Sequence, residues 1–264
     1  MSPSFAKKSL GQNFLVDQNY IRKIIDAVEP KETDTIIEIG PGRGAITEKL
    51  VESGASITAV ELDRDLVLQL RGQFRVASNF QVIEADATQI DFRQLATTIP
   101  QSALRTPQFK LVANLPYYIS TAILQHLSAQ RDIFSSLVLM FQKEVVDRIT
   151  AQPGNSERGF LTVLVESAFD VEKLFEVPPI AFLPVPKVTS AVARLIPKPR
   201  IIENEQALRD LLSTAFAQKR KTILNNLKTR FPDASEILER SGIDPSRRAE
   251  SLTFEEWLRL LQRC

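Results

Sequence analysis

The chain is 264 residues long and poor in the side chains that most often carry chemistry by themselves. It has one cysteine, one histidine, one tryptophan and two methionines. The cysteine is Cys264, the last residue, so no intramolecular disulfide can form. The histidine is His126. Together these counts leave no Cys/His zinc site, and they argue against a Ser-His-Asp triad or a Cys-His pair. No metal is expected. Long apolar runs are also missing, and nothing approaches the ~20 residues that a membrane-spanning helix needs. The first ten residues contain Lys7 and Lys8 but no apolar core of the kind a signal peptide carries. The expected setting is therefore a reduced cytoplasm, away from membranes. An excess of charge is missing too: 33 Lys and Arg face 32 Asp and Glu, for a formal net charge of +1. Global charge makes no case for a nucleic-acid partner, so any such case must rest on local basic clusters.

What is present is an ordinary globular composition in a chain long enough for one large domain, or for one domain and a small appendage. Up to about residue 150 the pattern alternates. A helix capped by Asp17 puts Tyr20, Ile21, Ile24, Ile25 and Val28 on one face, and Pro30 stops it. Strand-like runs follow at 35–40, 56–62, 80–85, 110–113 and 136–141. Helical runs follow at 46–52, 64–74, 122–127 and 143–150, and 99–108 reads as a loop. This rhythm predicts an α/β fold: a doubly wound, mainly parallel, Rossmann-like sheet with its ligand at the C-terminal ends of the strands. Beyond Pro153-Gly154 the rhythm changes. A helix is expected over 160–168. Two strands, 171–177 and 192–196, flank a proline-rich loop too short for a crossover helix and are expected to form an antiparallel edge pair. Pro197 and Pro199 mark a boundary, after which only helical signals remain, at 206–217, 222–228, 234–241 and 253–261. The expected organisation is a catalytic domain over 1–199 and a small all-helical domain over 200–264, with 1–16 as a segment serving substrate or cofactor.

The richest stretch is Thr35-Ile36-Ile37-Glu38-Ile39-Gly40-Pro41-Gly42-Arg43-Gly44-Ala45-Ile46-Thr47. A β-branched run ends in three alternating glycines and leads into an amphipathic run, a strand–turn–helix in which the backbone can approach a ligand closely. Such turns serve nicotinamide, flavin and S-adenosylmethionine enzymes alike. Two acids narrow the choice. Glu61 closes the next strand, where a carboxylate can bind ribose hydroxyls. Asp86 closes the third strand, where a carboxylate can accept from the amino group of adenine. This pair suits a neutral adenosine and offers nothing for a pyrophosphate.

The acceptor chemistry is suggested by Asn114-Leu115-Pro116-Tyr117, directly after the fourth strand. An adenine N6 is a poor nucleophile because its lone pair is delocalised into the ring. The side-chain carbonyl of Asn114 and the backbone carbonyl of Leu115 can accept its two hydrogens and free that lone pair. Pro116 stiffens the turn. Tyr117 can stack on a flipped-out base, and Phe182, in the proline-rich loop, can either meet the other face or belong to the core. Phosphate-contact candidates are Lys7, Lys8, Lys187 and the run Lys219-Arg220-Lys221.

Several motifs together resemble the ribosomal RNA adenine dimethyltransferases. They are Gly11-Gln12-Asn13-Phe14-Leu15, Glu38–Gly44, Val60-Glu61-Leu62-Asp63, Asn114–Thr121, Met140–Val145 and Phe182–Val192, in order along most of the chain. The likeness is greatest to the small-subunit (KsgA-type) branch. It implies a Rossmann-like methyltransferase sheet with a small helical domain. It also implies S-adenosylmethionine-dependent N6,N6-dimethylation of two adjacent adenines in the 3′-terminal hairpin loop of 16S rRNA. The partner implied is that RNA in an immature small subunit, and a monomer is expected. By this resemblance Asn13, Leu15, Gly40, Glu61, Asp86 and Asn114 fall on cofactor positions. Asn114, Leu115, Tyr117 and Phe182 fall on acceptor-base positions. Glu84-Ala85 departs from the pattern, where many members carry a glycine before the acid. The rival large-subunit branch is disfavoured by Leu115 and by Gln218–Leu227. A nicotinamide oxidoreductase is disfavoured by Asp86 and the Asn114 motif, and a purely structural assembly factor by the intact Asn114–Tyr117.

Overall fold

The protein is described by a computed structural model, which covers residues 11–98 and 109–264. Lys7, Lys8 and the 99–108 loop lie outside the described residues. The described elements are, in order, β1 (Phe14–Leu15), α1 (Gln18–Val28), β2 (Thr35–Ile39), α2 (Ala45–Glu52), β3 (Ser56–Glu61), α3 (Arg64–Gln73), β4 (Phe80–Glu84) and α4 (Phe92–Thr98). They continue with β5 (Phe109–Asn114), α5 (Ser120–Ala129), β6 (Phe134–Gln142), α6 (Lys143–Ile149), α7 (Phe160–Glu166), β7 (Phe169–Val177), β8 (Phe182–Leu183) and β9 (Ser190–Pro197). Four further helices complete the chain: α8 (Glu205–Ala215), α9 (Ile223–Leu227), α10 (Ala234–Arg240) and α11 (Phe254–Leu261).

Seven strands form one sheet in the order β4-β3-β2-β5-β6-β9-β7. The pairs β2–β3, β3–β4, β2–β5 and β5–β6 are parallel, and β9 runs antiparallel to β6. The strands from β2 to β6 read as nearly continuous apolar runs because helices cover both faces of a parallel sheet. Ile36, Ile37, Ile57, Ala59, Val112 and Leu137 are all buried. The chain runs outward from β2 through β3 to β4, then returns to the other side of β2 as β5. Ligand crevices form at such a reversal, outside the carboxyl ends of the strands. The two expected edge strands, β7 and β9, are neighbours in the sheet as predicted, with β7 outermost.

A second, two-stranded sheet was not expected from the sequence. Phe14–Leu15 pairs antiparallel with Phe182–Leu183, and Val16 N–H donates to Ala181 O at 2.9 Å. Two residues per strand give no periodicity to read. The pairing nevertheless explains why Phe14 and Leu15 are buried in what otherwise looks like a loose arm.

The chain divides into two compact units. One runs to Val146 and resumes over Asp170–Pro197; the other comprises Asp147–Phe169 and Lys198–Cys264. Residues 147–169, read from the sequence as part of the first domain, pack in the second. The reason is the apolar face of α7, whose Val163 and Leu164 join a core with Leu208, Leu212, Leu238 and Trp257. Within this unit Arg158 is buried and donates to Glu166 Oε2 at 2.6 Å and to Ala151 O at 3.0 Å. A charge so buried requires such partners. Among the described residues, no helix is long and apolar enough to cross a membrane.

Candidate active site

The glycine turn is built by the backbone. Gly40, Gly42 and Gly44 have φ of 66°, 57° and 85°, in the left-handed region where a side chain is strained. Gly40 N–H donates to Val60 O and Gly44 N–H to Pro41 O, each at 2.9 Å, which folds the turn back over β3 before α2 begins. Gly42 is needed twice over: a β-carbon there would lie 2.9 Å from Cδ1 of Phe14. The turn is thereby seated against β1, and the Arg43 guanidinium covers the Phe14 ring at 4.4 Å from its centroid.

One pocket opens at this turn. Its wall includes Gln12 and Asn13 with Phe14 and Leu15 of β1, Glu38–Arg43 from β2 and the turn, Glu61 from β3, Asp86 after β4, Asn114 at the end of β5 with Leu115–Ile119 after it, and Phe182 from β8. Every cofactor and acceptor-base residue named from the sequence therefore lies on one cavity.

Glu61 is 7% exposed. Its Oε2 accepts from Gly42 N–H at 3.2 Å and its Oε1 from Asp63 N–H at 2.9 Å. Burial raises its pKa, and these two N–H groups oppose the rise by favouring the carboxylate. Asp63 caps α3 through Asp65 N–H at 3.0 Å, while its second oxygen holds Gln12 Nε2 at 2.9 Å. Asp86 is exposed, and its Oδ1 accepts from the N–H and the hydroxyl of Thr88, both at 2.8 Å. Its other oxygen has no hydrogen-bond partner among the described residues. Glu38 lies at the pocket floor, 2% exposed, and accepts from the Thr47 hydroxyl at 2.7 Å. Burial pushes its pKa up to about 8; the Thr47 hydrogen bond opposes this and the charge of Glu61 adds to it.

Asn114 ends β5. Its Nδ2 donates to Asn13 O at 3.3 Å, and Asn13 Nδ2 donates to Gly11 O at 3.3 Å. A carbonyl oxygen can only accept, so the amino end of the Asn114 amide must face Asn13. Its carbonyl oxygen is therefore left as the acceptor. Leu115 is buried, and its N–H donates to Met140 O at 3.3 Å, which ties the turn to β6. Pro116 O accepts from Ile119 N–H at 3.2 Å, closing a 3-10 turn over Tyr117–Ile119. The Tyr117 hydroxyl lies 2.9 Å from Ser190 Oγ, on β9. Phe182 is 2% exposed and belongs to the core around Leu15, Val138 and Met140 while also lining the pocket. It sits in β8, paired with β1, and is at once a core residue and a wall of the pocket.

Lys187 is exposed in the first unit. Lys219, Arg220 and Lys221 are exposed between α8 and α9 in the second, on a turn and not a helix face. The sequence did not single out Gln12, Thr47 or Ser190 for the site. Each acts on a partner 9 to 73 positions away, so no local spacing could reveal it. His126 serves structure, with Nε2 2.7 Å from Ile90 O and 2.9 Å from Gln130 Nε2.

The donor set tests the fit of S-adenosylmethionine. Three carboxyl groups, Glu38, Glu61 and Asp86, line the pocket against one base, Arg43, among the described residues. Acceptors of this kind suit a ligand bearing hydroxyls, amino groups and a positive charge. The residues present fit the group.

Comparison with known proteins agrees. The model of the ribosomal RNA adenine dimethylase family matches residues 4–264. The chain is 46% identical over 258 residues to the ribosomal RNA small subunit methyltransferase A of Saccharophagus degradans, covering 97% of this chain and 93% of that one. It is 41% identical to the protein of that name from Dechloromonas aromatica, covering 98% of each. Among solved structures, a dimethyladenosine transferase from Plasmodium falciparum superposes with a TM-score of 0.78 at 28% identity, covering 94% of this chain and 96% of that one. The 23S rRNA methyltransferase ErmE superposes with a TM-score of 0.71 at 25% identity, covering 95% and 99%. A full-length family match, close relatives and a shared architecture lead to one conclusion: the chain belongs to the ribosomal RNA adenine dimethylase family.

Proposed function

We propose that this protein dimethylates N6 of two adjacent adenines in the 3′-terminal hairpin loop of 16S rRNA, using S-adenosylmethionine, and that it does so on the immature small subunit during ribosome assembly. A monomer acting in the cytoplasm is the expected form. The observation that carries the reading is the convergence of Glu61, Asp86 and Asn114–Tyr117 on the pocket at the glycine turn.

S-adenosylmethionine, when bound, supplies an electrophilic methyl group. Glu61, held by the N–H groups of Gly42 and Asp63, would accept from the ribose hydroxyls. Asp86 has an oxygen to accept from the adenine amino group. Gly40 keeps the backbone bare beside Asn114, where a β-carbon would lie 3.4 Å from Asn114 O. Asn13 and Leu15 complete the cofactor wall.

On the acceptor side, Asn114 Oδ1 and the Leu115 carbonyl would accept the two N6 hydrogens. That arrangement pulls the amino nitrogen out of conjugation and presents its lone pair. N6 becomes acidic as it is alkylated, so no strong base is needed. Tyr117 and Phe182 would hold the faces of the base. Stacking of this kind contributes ~1–3 kcal/mol per base, which offsets a flipping cost of a few kcal/mol. Lys187 and Lys219-Arg220-Lys221, with Lys7 and Lys8, would meet phosphates.

The test is transfer of a radiolabelled methyl group to immature small subunits and to large subunits, followed by mapping of the base. Label at two adjacent adenines of the small-subunit hairpin is expected. Label confined to large subunits would favour the activity named for ErmE and refute this assignment.

A further inference from the structure

We propose that Tyr118 is a second base platform, binding by stacking the nucleotide next to the adenine being methylated. The proposal rests on the functional reading above, because it needs an RNA strand with one base in the pocket and its neighbour at the rim.

The 3-10 turn Tyr117–Ile119 carries two aromatic rings in succession. With three residues per turn, successive side chains diverge by about 120°, so the two rings cannot sandwich or share one base. The structure gives them different surroundings. Tyr117 is half-buried and tied by its hydroxyl to Ser190. Tyr118 is 63% exposed, yet it lines the same pocket. Single exposed apolar side chains are common and need no function. This one is held in place. A β-carbon on Gly11 would lie 3.4 Å from Cδ1 and 3.5 Å from Cε1 of Tyr118, so the ring rests on the bare backbone of Gly11, itself at a φ of 59°. The turn beneath it is closed by Ile119 N–H on Pro116 O and by the Ser120 hydroxyl on Tyr117 O at 2.9 Å. A ring already ordered by its neighbours loses little freedom when a base stacks on it.

The ligand class follows from position. A strand that places one adenine against Asn114 must carry the flanking nucleotide across the rim of the same cavity, where Tyr118 stands. Stacking tolerates any base and favours purines, whose rings are larger. When the two adjacent adenines exchange places in the pocket, each in turn is the neighbour of the other, and one platform serves both.

The test measures KM of the full-length enzyme for unmethylated small subunits. Tyr118→Ala should raise KM by roughly 5- to 150-fold, the span that loss of one stacked base implies. Tyr118→Leu keeps an apolar contact on Gly11 without an aromatic face and should behave like Tyr118→Ala. Tyr118→Phe keeps the ring and should rescue KM. Affinity for S-adenosylmethionine, measured by calorimetry, should hold in all three. A second set of subunits carries uridine in place of the adenine beside the acceptor. With the wild-type enzyme this change should raise KM, and with Tyr118→Ala it should add nothing. Equal KM for wild type and Tyr118→Leu would overturn the proposal. So would uridine and Tyr118→Ala penalties that multiply. A wild-type enzyme that labels no small subunits at all would refute the functional reading itself, and the platform with it.

Discussion

Replacing Glu38 with glutamine tests the electrostatics of the pocket floor. The carboxyl is buried, and its pKa rises from 4.5 to about 8. Between those two values the folded protein holds a proton on Glu38 that the unfolded chain has released. Stability therefore falls as pH rises through this window, by about 1.4 kcal/mol per pH unit. The contribution is complete below pH ~4.5, is lost progressively, and levels off above pH ~8. Across the whole window it amounts to about 5 kcal/mol, a large share of the ~5–15 kcal/mol that holds a typical protein folded. Glu38→Gln keeps an oxygen for the Thr47 hydroxyl and cannot ionise. Urea unfolding of both proteins from pH 5 to pH 9 gives the comparison. The stability of wild type minus that of the variant should fall steadily to about pH 8 and then flatten, so that the variant is relatively favoured in alkali. A difference that does not change with pH would refute the argument, because it would mean that Glu38 titrates alike in the folded and unfolded chain.

The other predictions concern the site and the second unit. Asn114→Ala should reduce methyl transfer to small subunits roughly 100-fold or more by analogy with loss of one oxyanion-hole donor; near-normal transfer would remove Asn114 from the acceptor role. Glu61→Ala removes a charged acceptor and should weaken S-adenosylmethionine binding roughly 10- to 150-fold in calorimetry, and unchanged affinity would sink the ribose assignment. Gly42→Ala combines a left-handed backbone cost of ~1–2 kcal/mol with a collision against Phe14; thermal unfolding should show a clear drop in Tm, and an unaltered Tm would contradict the packing described. Thr253 caps α11 by accepting from Glu256 N–H at 3.2 Å, and Glu256 returns the contact to Thr253 N–H at 2.8 Å. Thr253→Ala should therefore cost about 1 kcal/mol in denaturant unfolding, and a stability equal to wild type would show that the cap contributes nothing.

Much of the fold was legible in the residues. Asp17 accepts from Asn19 N–H and starts α1 where the spacing placed it. The apolar runs at 35–40 and 56–62 became β2 and β3 within a residue or two. These signals are local: a cap, a period and a glycine turn each lie within a few positions. The misses are non-local. The pairing of β1 with β8 joins residues far apart in the chain, and α7 belongs to the second unit because of what its apolar face meets. At the site, the residue types were legible but their states were not. Nothing near Asp86 in the sequence says that Thr88 engages one of its oxygens and leaves the other to accept. Phe182, for which the sequence left a stacking role and a core role open, is a buried residue of β8 that also lines the pocket.

The sequence by itself determined the parallel sheet, the glycine turn, the acid that ends β3 and the acid that follows β4, and the Asn-Leu-Pro-Tyr turn at the end of β5, because each depends on short-range geometry and on the order of the strands. Only the tertiary structure decided how those groups are held. It turned the Asn114 amide by giving its amino end to Asn13 O, buried Glu38 so that its pKa is raised, and separated Tyr117, tied to Ser190, from Tyr118, resting on Gly11. Hydrogen-bond direction and burial belong to partners distant in sequence, so they exist only once the chain has folded.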